Sequence, residues 1–117
     1  MNLFELFFGK PVSTIKAIEL NDRFKNGKRP LIIDVRQPDE YRSGHIIGAK
    51  LIPLNKLHNR VNELPQNREI VCVCASGNRS GSATRMLTKA GFNAVNMKGG
   101  MNAWRQANLP IKKGDAA

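Results

Sequence analysis

Two runs, Leu31 to Val35 and Ile70 to Cys74, are apolar almost without interruption and show no two-residue alternation. A strand exposed on one face alternates, whereas a strand covered on both faces does not. Such runs therefore predict the interior of a parallel sheet with helices on either side. The rest of the chain fits that plan. Strands are expected at Ser13–Lys16, Lys50–Ile52 and Ala94–Met97 beside the two long runs, giving five in all. Helical spacing of apolar residues predicts helices over Ala17–Asn26, Gln37–Ser43, Leu54 to Leu64, Ser80–Ala90 and Met101–Ala107. Strands alternating with helices predict an α/β domain with right-handed crossovers. In such sheets ligands bind beyond the carboxyl ends of the strands.

Cys74 stands at one of those ends and Asp34 to Arg36 at another. After Cys74 the chain becomes a short polar loop, Ala75-Ser76-Gly77-Asn78-Arg79-Ser80, and then a helix. Main-chain N–H groups leading into a helix N-terminus favour an anion, so a thiol at that point is expected to ionise more readily than a free cysteine. Gly77 lets the loop curl without a Cβ in the way, and Arg79 adds a positive charge. The candidate catalytic residue is Cys74, with Ala75 to Ser80 as the binding loop. Asp34, Arg36 and Glu40 are expected to support the loop by ion pairs and hydrogen bonds, Glu40 or Asp34 being the partner of Arg79. Cys72, inside the apolar run, is read as a packed small hydrophobe. Of the two histidines, His45 is expected to tie down a turn, since a thiolate made by backbone amides needs no base. No set of Cys, His and acidic residues has metal-ligand spacing, and no cofactor is expected.

The pattern Cys-x-x-Gly-x-Arg-Ser from Cys74 to Ser80 resembles the active-site loop of the rhodanese (sulfurtransferase) family. Three further stretches resemble the same family in the same order. They are Ile33-Asp34-Val35-Arg36 with Glu40-Tyr41, Gly44-His45-Ile46-Ile47-Gly48-Ala49, and Gly99-Gly100-Met101-Asn102-Ala103-Trp104. The resemblance spans about Thr14 to Leu109. It implies a rhodanese-like parallel five-stranded sheet with helices on both faces. It also implies transfer of sulfane sulfur from a thiosulfate-like anionic donor, through a Cys74 persulfide, to a thiol or cyanide acceptor. A sulfur-carrier or protein-binding module is the alternative. The related phosphatase and arsenate-reductase domains have one more residue between Cys and Arg than the four found here, Ala75 to Asn78, so the smaller loop favours sulfur over phosphate.

With 117 residues, 41% hydrophobic and 24% charged, the chain is expected to form one domain. Its boundaries are read as an amphipathic segment at 1–11, the rhodanese-like domain at 12–110 and a flexible tail at 111–117. Two cysteines one residue apart suggest no disulfide framework. With no basic leader and no membrane-length apolar stretch, a reducing cytoplasmic setting without integral membrane contact is expected. The net charge of +10 is unevenly spread. No acid occurs between Glu69 and Asp115, a stretch holding Arg79, Arg85, Lys89, Lys98, Arg105, Lys112 and Lys113. That basic half would attract an anionic donor, an acidic protein or RNA.

Overall fold

The computed structural model describes residues 11–117. The amphipathic segment expected at 1–11 therefore lies outside the described residues, Pro11 excepted. Five parallel strands form one sheet in the order β1-β5-β4-β2-β3. They are β1 (Thr14–Lys16), β2 (Leu31–Asp34), β3 (Lys50–Leu51), β4 (Ile70–Val73) and β5 (Ala94–Lys98). The helices are α1 (Ala17–Lys25), α2 (Pro38–Arg42), α3 (Leu54–Leu57), α4 (Asn78–Lys89) and α5 (Gly100–Gln106).

The unbroken apolar runs are explained by the two cores they serve. Ile32, Val71 and Val73 point to one face, where they meet Leu20 of α1 and Met101 and Trp104 of α5. Ile33, Ile70 and Cys72 point to the other, against Leu57 of α3 and Ala83 and Leu87 of α4. Both sides of β4 are thus dry, and all four of its residues are buried. Cys74 belongs to the α4 side. α4 and α5 leave β4 and β5 toward opposite faces, and Cys74 lies at the carboxyl end of β4 where they diverge.

Three expectations differ from what is found. The helix after Cys74 begins at Asn78 rather than Ser80, because Gly77 adopts φ +103° and turns the chain straight into the first helical turn. Arg79 and Ser80 are therefore helical residues and not loop residues. The helix expected from Leu54 to Leu64 stops at Leu57 and continues as a 3-10 helix, His58–Glu63. Asn59 and Asn62 favour helix weakly, and in this tighter coil residues three apart eclipse, which brings Arg60 and Glu63 into a paired contact at 2.9 Å. The stretch after Pro110, expected to be a flexible tail, makes specific contacts. Lys112 and His45 exchange main-chain hydrogen bonds, 2.9 and 3.0 Å, and Gly114 N–H donates to the Arg42 carbonyl at 2.9 Å. No helix among the described residues is long and apolar enough to cross a membrane.

Candidate active site at the end of strand β4

Strand β4 ends at Val73, so Cys74 is the first residue past the sheet, with its side chain fully buried. Two donors meet its sulfur. Gly77 N–H donates to Sγ at 3.0 Å, and the Ser80 hydroxyl lies 3.2 Å away. Burial alone would push the thiol up. The Ser80 hydroxyl and the main-chain N–H groups of Ser80, Gly77 and Ser76 outweigh it and bring Cys74 below the ordinary thiol range. The anion is thus held by oriented dipoles from the loop and the first turn of α4.

Arg79 contributes less than its sequence position suggests. Its guanidinium is bound edge-on by Glu40, with Nη1 to Oε1 at 2.7 Å and Nη2 to Oε2 at 2.8 Å. This bidentate pair ties the first turn of α4 to α2. Glu40 also accepts from the Gln37 N–H at 3.0 Å, at the start of α2. The Arg79 hydrogen bond, aided by that N–H, holds the Glu40 carboxyl down at about 2. The sign follows from linkage: a depressed carboxyl adds stability above its unfolded value and loses it as pH falls toward the folded one. The clamp between α2 and α4 is therefore intact at neutral pH and loosens only between about pH 4 and 2.

Asp34 and Arg36 form a second pair, whereas the hydrogen bonds of Arg79 go to Glu40. Arg36 Nε donates to Asp34 Oδ1 at 2.9 Å, and Nη2 donates to Oδ2 and to the Gly44 carbonyl, both at 2.8 Å. Asp34 is 1% and Arg36 2% exposed. The Arg36 guanidinium is occupied in fixing the loop after α2, as a buried ion paired with Asp34 and the Gly44 carbonyl. His45 is likewise committed: its ring stacks on Tyr41, and its two nitrogens face the carbonyls of Tyr41 and Ala116, each at 2.8 Å.

Two features near Cys74 were not singled out from sequence. The first is the seat beneath the loop. Met101 N–H donates to the Cys74 carbonyl at 2.8 Å and Asn102 N–H to the Ala75 carbonyl at 3.0 Å. The start of α5 thus grips the loop from below, and Gly100 makes room for it. The second is Asn96, a buried amide in the middle of β5. Its Nδ2 donates to the Gly77 carbonyl at 3.1 Å and its Oδ1 lies 2.6 Å from the Ser80 hydroxyl. A polar residue between Val95 and Met97, inside the apolar part of the strand, was the available signal.

The rhodanese-like domain model matches residues 16–107, most of the chain and both sides of this site. The chain belongs to the rhodanese-like domain family. It is 35% identical over 101 residues to a sulfurtransferase of Allochromatium vinosum, covering 86% of this chain and 94% of that one. It is 41% identical over 101 residues to the probable adenylyltransferase/sulfurtransferase MoeZ of Mycobacterium tuberculosis. That match covers 84% of this chain and only 26% of the larger protein. The crystal structure of a rhodanese-like domain protein from Staphylococcus aureus superposes with a TM-score of 0.81 at 33% identity, covering 88% of this chain and 99% of that one. The expected five-stranded rhodanese fold is thus the fold found.

Within this rhodanese fold the two cysteines are chemically unlike. Both are free, and Cys72 is buried on the same face as Cys74. Desolvation pushes Cys72 up to about 11, more than its hydrogen bond with Thr84 lowers it. At neutral pH, Cys72 is a thiol and Cys74 the more readily ionised group. Cys72→Ser is accordingly expected to keep most of any Cys74-dependent activity while lowering stability by about 1–2 kcal/mol, read by denaturant titration. A second expected result separates the two side chains beside Cys74. Ser80→Ala should raise the pH midpoint of Cys74 alkylation by about one unit. Arg79→Ala, whose charge Glu40 already engages, should raise it by less than about half a unit. Equal shifts would mean that Arg79 acts on the sulfur directly.

Proposed function

We propose that this rhodanese is a sulfurtransferase in which Cys74 carries the sulfur as a persulfide. The observation that supports this most is the sulfur's setting: a buried Sγ at the end of β4 that meets the Gly77 N–H and the Ser80 hydroxyl, both of which favour the anion. In the first half-reaction, the Cys74 thiolate attacks the outer sulfur of a thiosulfate-like donor. A Cys74–S bond forms, the donor's S–S bond breaks, and sulfite leaves with the bonding pair. The charge then rests on the outer sulfur, where the N–H groups of the loop can receive it. In the second, a thiol or cyanide acceptor attacks that outer sulfur, and Cys74 leaves again as the thiolate. Electrons balance in each step, and neither needs a metal or a redox cofactor. The cycle is covalent, so ping-pong kinetics are expected.

Size supports sulfur over phosphate. Four residues separate Cys74 from Arg79, and the cup they form has a fully buried sulfur at its floor. A donor must reach that sulfur with a single protruding atom, as thiosulfate does and a phosphate ester does not. The test is turnover with thiosulfate and cyanide, followed as thiocyanate, run beside hydrolysis of an aryl phosphate. Thiocyanate formation with negligible phosphate release is expected. Efficient phosphate release with no thiocyanate would reverse the assignment.

A further inference from the structure

The Ser80 hydroxyl has one proton and two acceptors. Asn96 Oδ1 is 2.6 Å from Ser80 Oγ and Cys74 Sγ is 3.2 Å from it, so both lie within hydrogen-bond reach and compete for that proton. The orientation of that amide is fixed by its other end, since Nδ2 donates to the Gly77 carbonyl at 3.1 Å. Ser80 is fully buried and Asn96 8% exposed, so bulk water does not offer a competing partner at low cost. The Ser80 backbone is held in place, because it lies in the first turn of α4 with its carbonyl accepting from Thr84 Oγ1 at 2.7 Å.

We propose that Asn96 is a positioning residue that turns the Ser80 hydroxyl away from Cys74 whenever the sulfur is uncharged and releases it when the sulfur is an anion. With a neutral thiol, Ser80 donates to Asn96 Oδ1 and its lone pair accepts from the S–H. With the thiolate, the hydroxyl proton swings to Sγ, and the contact with Asn96 is given up. The proposal rests on the reading of Cys74 as the sulfur carrier in one respect. In the persulfide, Sγ is again uncharged because the charge has moved to the outer sulfur, so the hydroxyl returns to Asn96. The amide therefore favours the loaded state over the free thiolate. Each passage of sulfur is accompanied by one rotation of one O–H bond. Meanwhile the Gly77 carbonyl, tied to the same amide, keeps the Gly77 N–H aimed at the sulfur.

A merely structural Asn96 and a proton-directing one differ in the sign of a pH shift. Alkylation of Cys74 by iodoacetamide reports the thiolate without any sulfur donor, so its outcome is separable from success or failure of sulfur transfer. Cys72 on β4 and Arg79 on α4 are the other titratable side chains coupled to Cys74, and both stay in place in the variants used. Asn96→Ala removes the competing acceptor, and the alkylation midpoint is expected to fall by about 0.5–1 unit. In a Ser80→Ala background the same change should no longer lower the midpoint. An unchanged or raised midpoint in Asn96→Ala overturns the proposal, because loosening the loop could only weaken the Gly77 contact. Should Asn96→Ala not fold, Asn96→Asp decides the matter. Its carboxylate holds the Ser80 proton more firmly, so the midpoint should rise by more than about one unit, and by clearly less once Ser80 is Ala. A rise of equal size in both backgrounds is the effect of charge alone and also overturns the proposal.

Discussion

Cys74→Ser is expected to reduce thiosulfate-to-cyanide transfer by a factor of about 10³ or more. The substitution keeps the side-chain shape and leaves the Gly77 and Ser80 donors beside it, exchanging sulfur for the smaller oxygen. That atom decides the reaction. A serine hydroxyl ionises far above neutral pH and a hydroxyl oxygen forms no persulfide, so the donors that hold the Cys74 anion would have nothing to hold. Stability should change little, since a hydroxyl can use the same two partners. Loss of activity with retained folding, checked by thermal unfolding beside the thiocyanate assay, is the expected pair of results. Retention of more than about a tenth of the activity would mean that another thiol carries the sulfur. Cys72 is the one other cysteine in the chain.

Gly100→Ala is expected to be the most damaging single methyl group in the domain. Gly100 has φ +56°, and a Cβ there would stand 2.4 Å from the Cys74 carbonyl oxygen and 2.6 Å from both the carbonyl carbon and the oxygen of Ala75. All three are main-chain atoms, so no side chain can swing aside. Relief requires that α5 and the Cys74 loop separate, which would break the Met101 and Asn102 hydrogen bonds to that loop. Backbone strain and overpacking together predict a loss of about 2–4 kcal/mol, or roughly 10–20 °C in Tm for a domain of this size. Gly91→Ala is the control. Its φ is +94°, yet nothing lies within 4 Å of an added Cβ. It should cost only the backbone strain, about 1 kcal/mol, and should leave Cys74 alkylation unchanged. Equal losses at the two glycines would show that contact with the loop is not what requires Gly100.

The sheet was legible because burial on both faces leaves a plain mark: the uninterrupted runs at Leu31 to Val35 and Ile70 to Cys74 serve two apolar cores at once. The place of Cys74 was legible for a related reason, since an apolar run giving way to a glycine-bearing polar loop marks where the strand stops. What escaped was everything that depends on a partner distant in sequence. Glu40 meets Arg79 across 39 residues, and sequence left Asp34 as an equal candidate. The structure removes Asp34 because its carboxylate is taken by Arg36 two residues away. Asn96 could be recognised as an oddity in β5, but its job depends on Ser80 from α4 lying 2.6 Å away. The turn at Gly99 and Gly100 could be read as tight, while the reason, main-chain atoms of residues 74 and 75 standing where a Cβ would go at Gly100, is a distant contact. Helix ends were misjudged where local chemistry is permissive: the positive φ of Gly77 started α4 two residues early.

The central claim is that Cys74 carries sulfur, and intact-protein mass spectrometry tests it most directly. The protein is treated with thiosulfate under non-reducing conditions, freed of excess donor, and weighed before and after addition of cyanide. One added sulfur atom is expected, located on the peptide containing Cys74, absent from Cys74→Ser and removed by cyanide. A protein that gains no sulfur although Cys74 is readily alkylated, or that gains it equally in Cys74→Ser, would contradict the account.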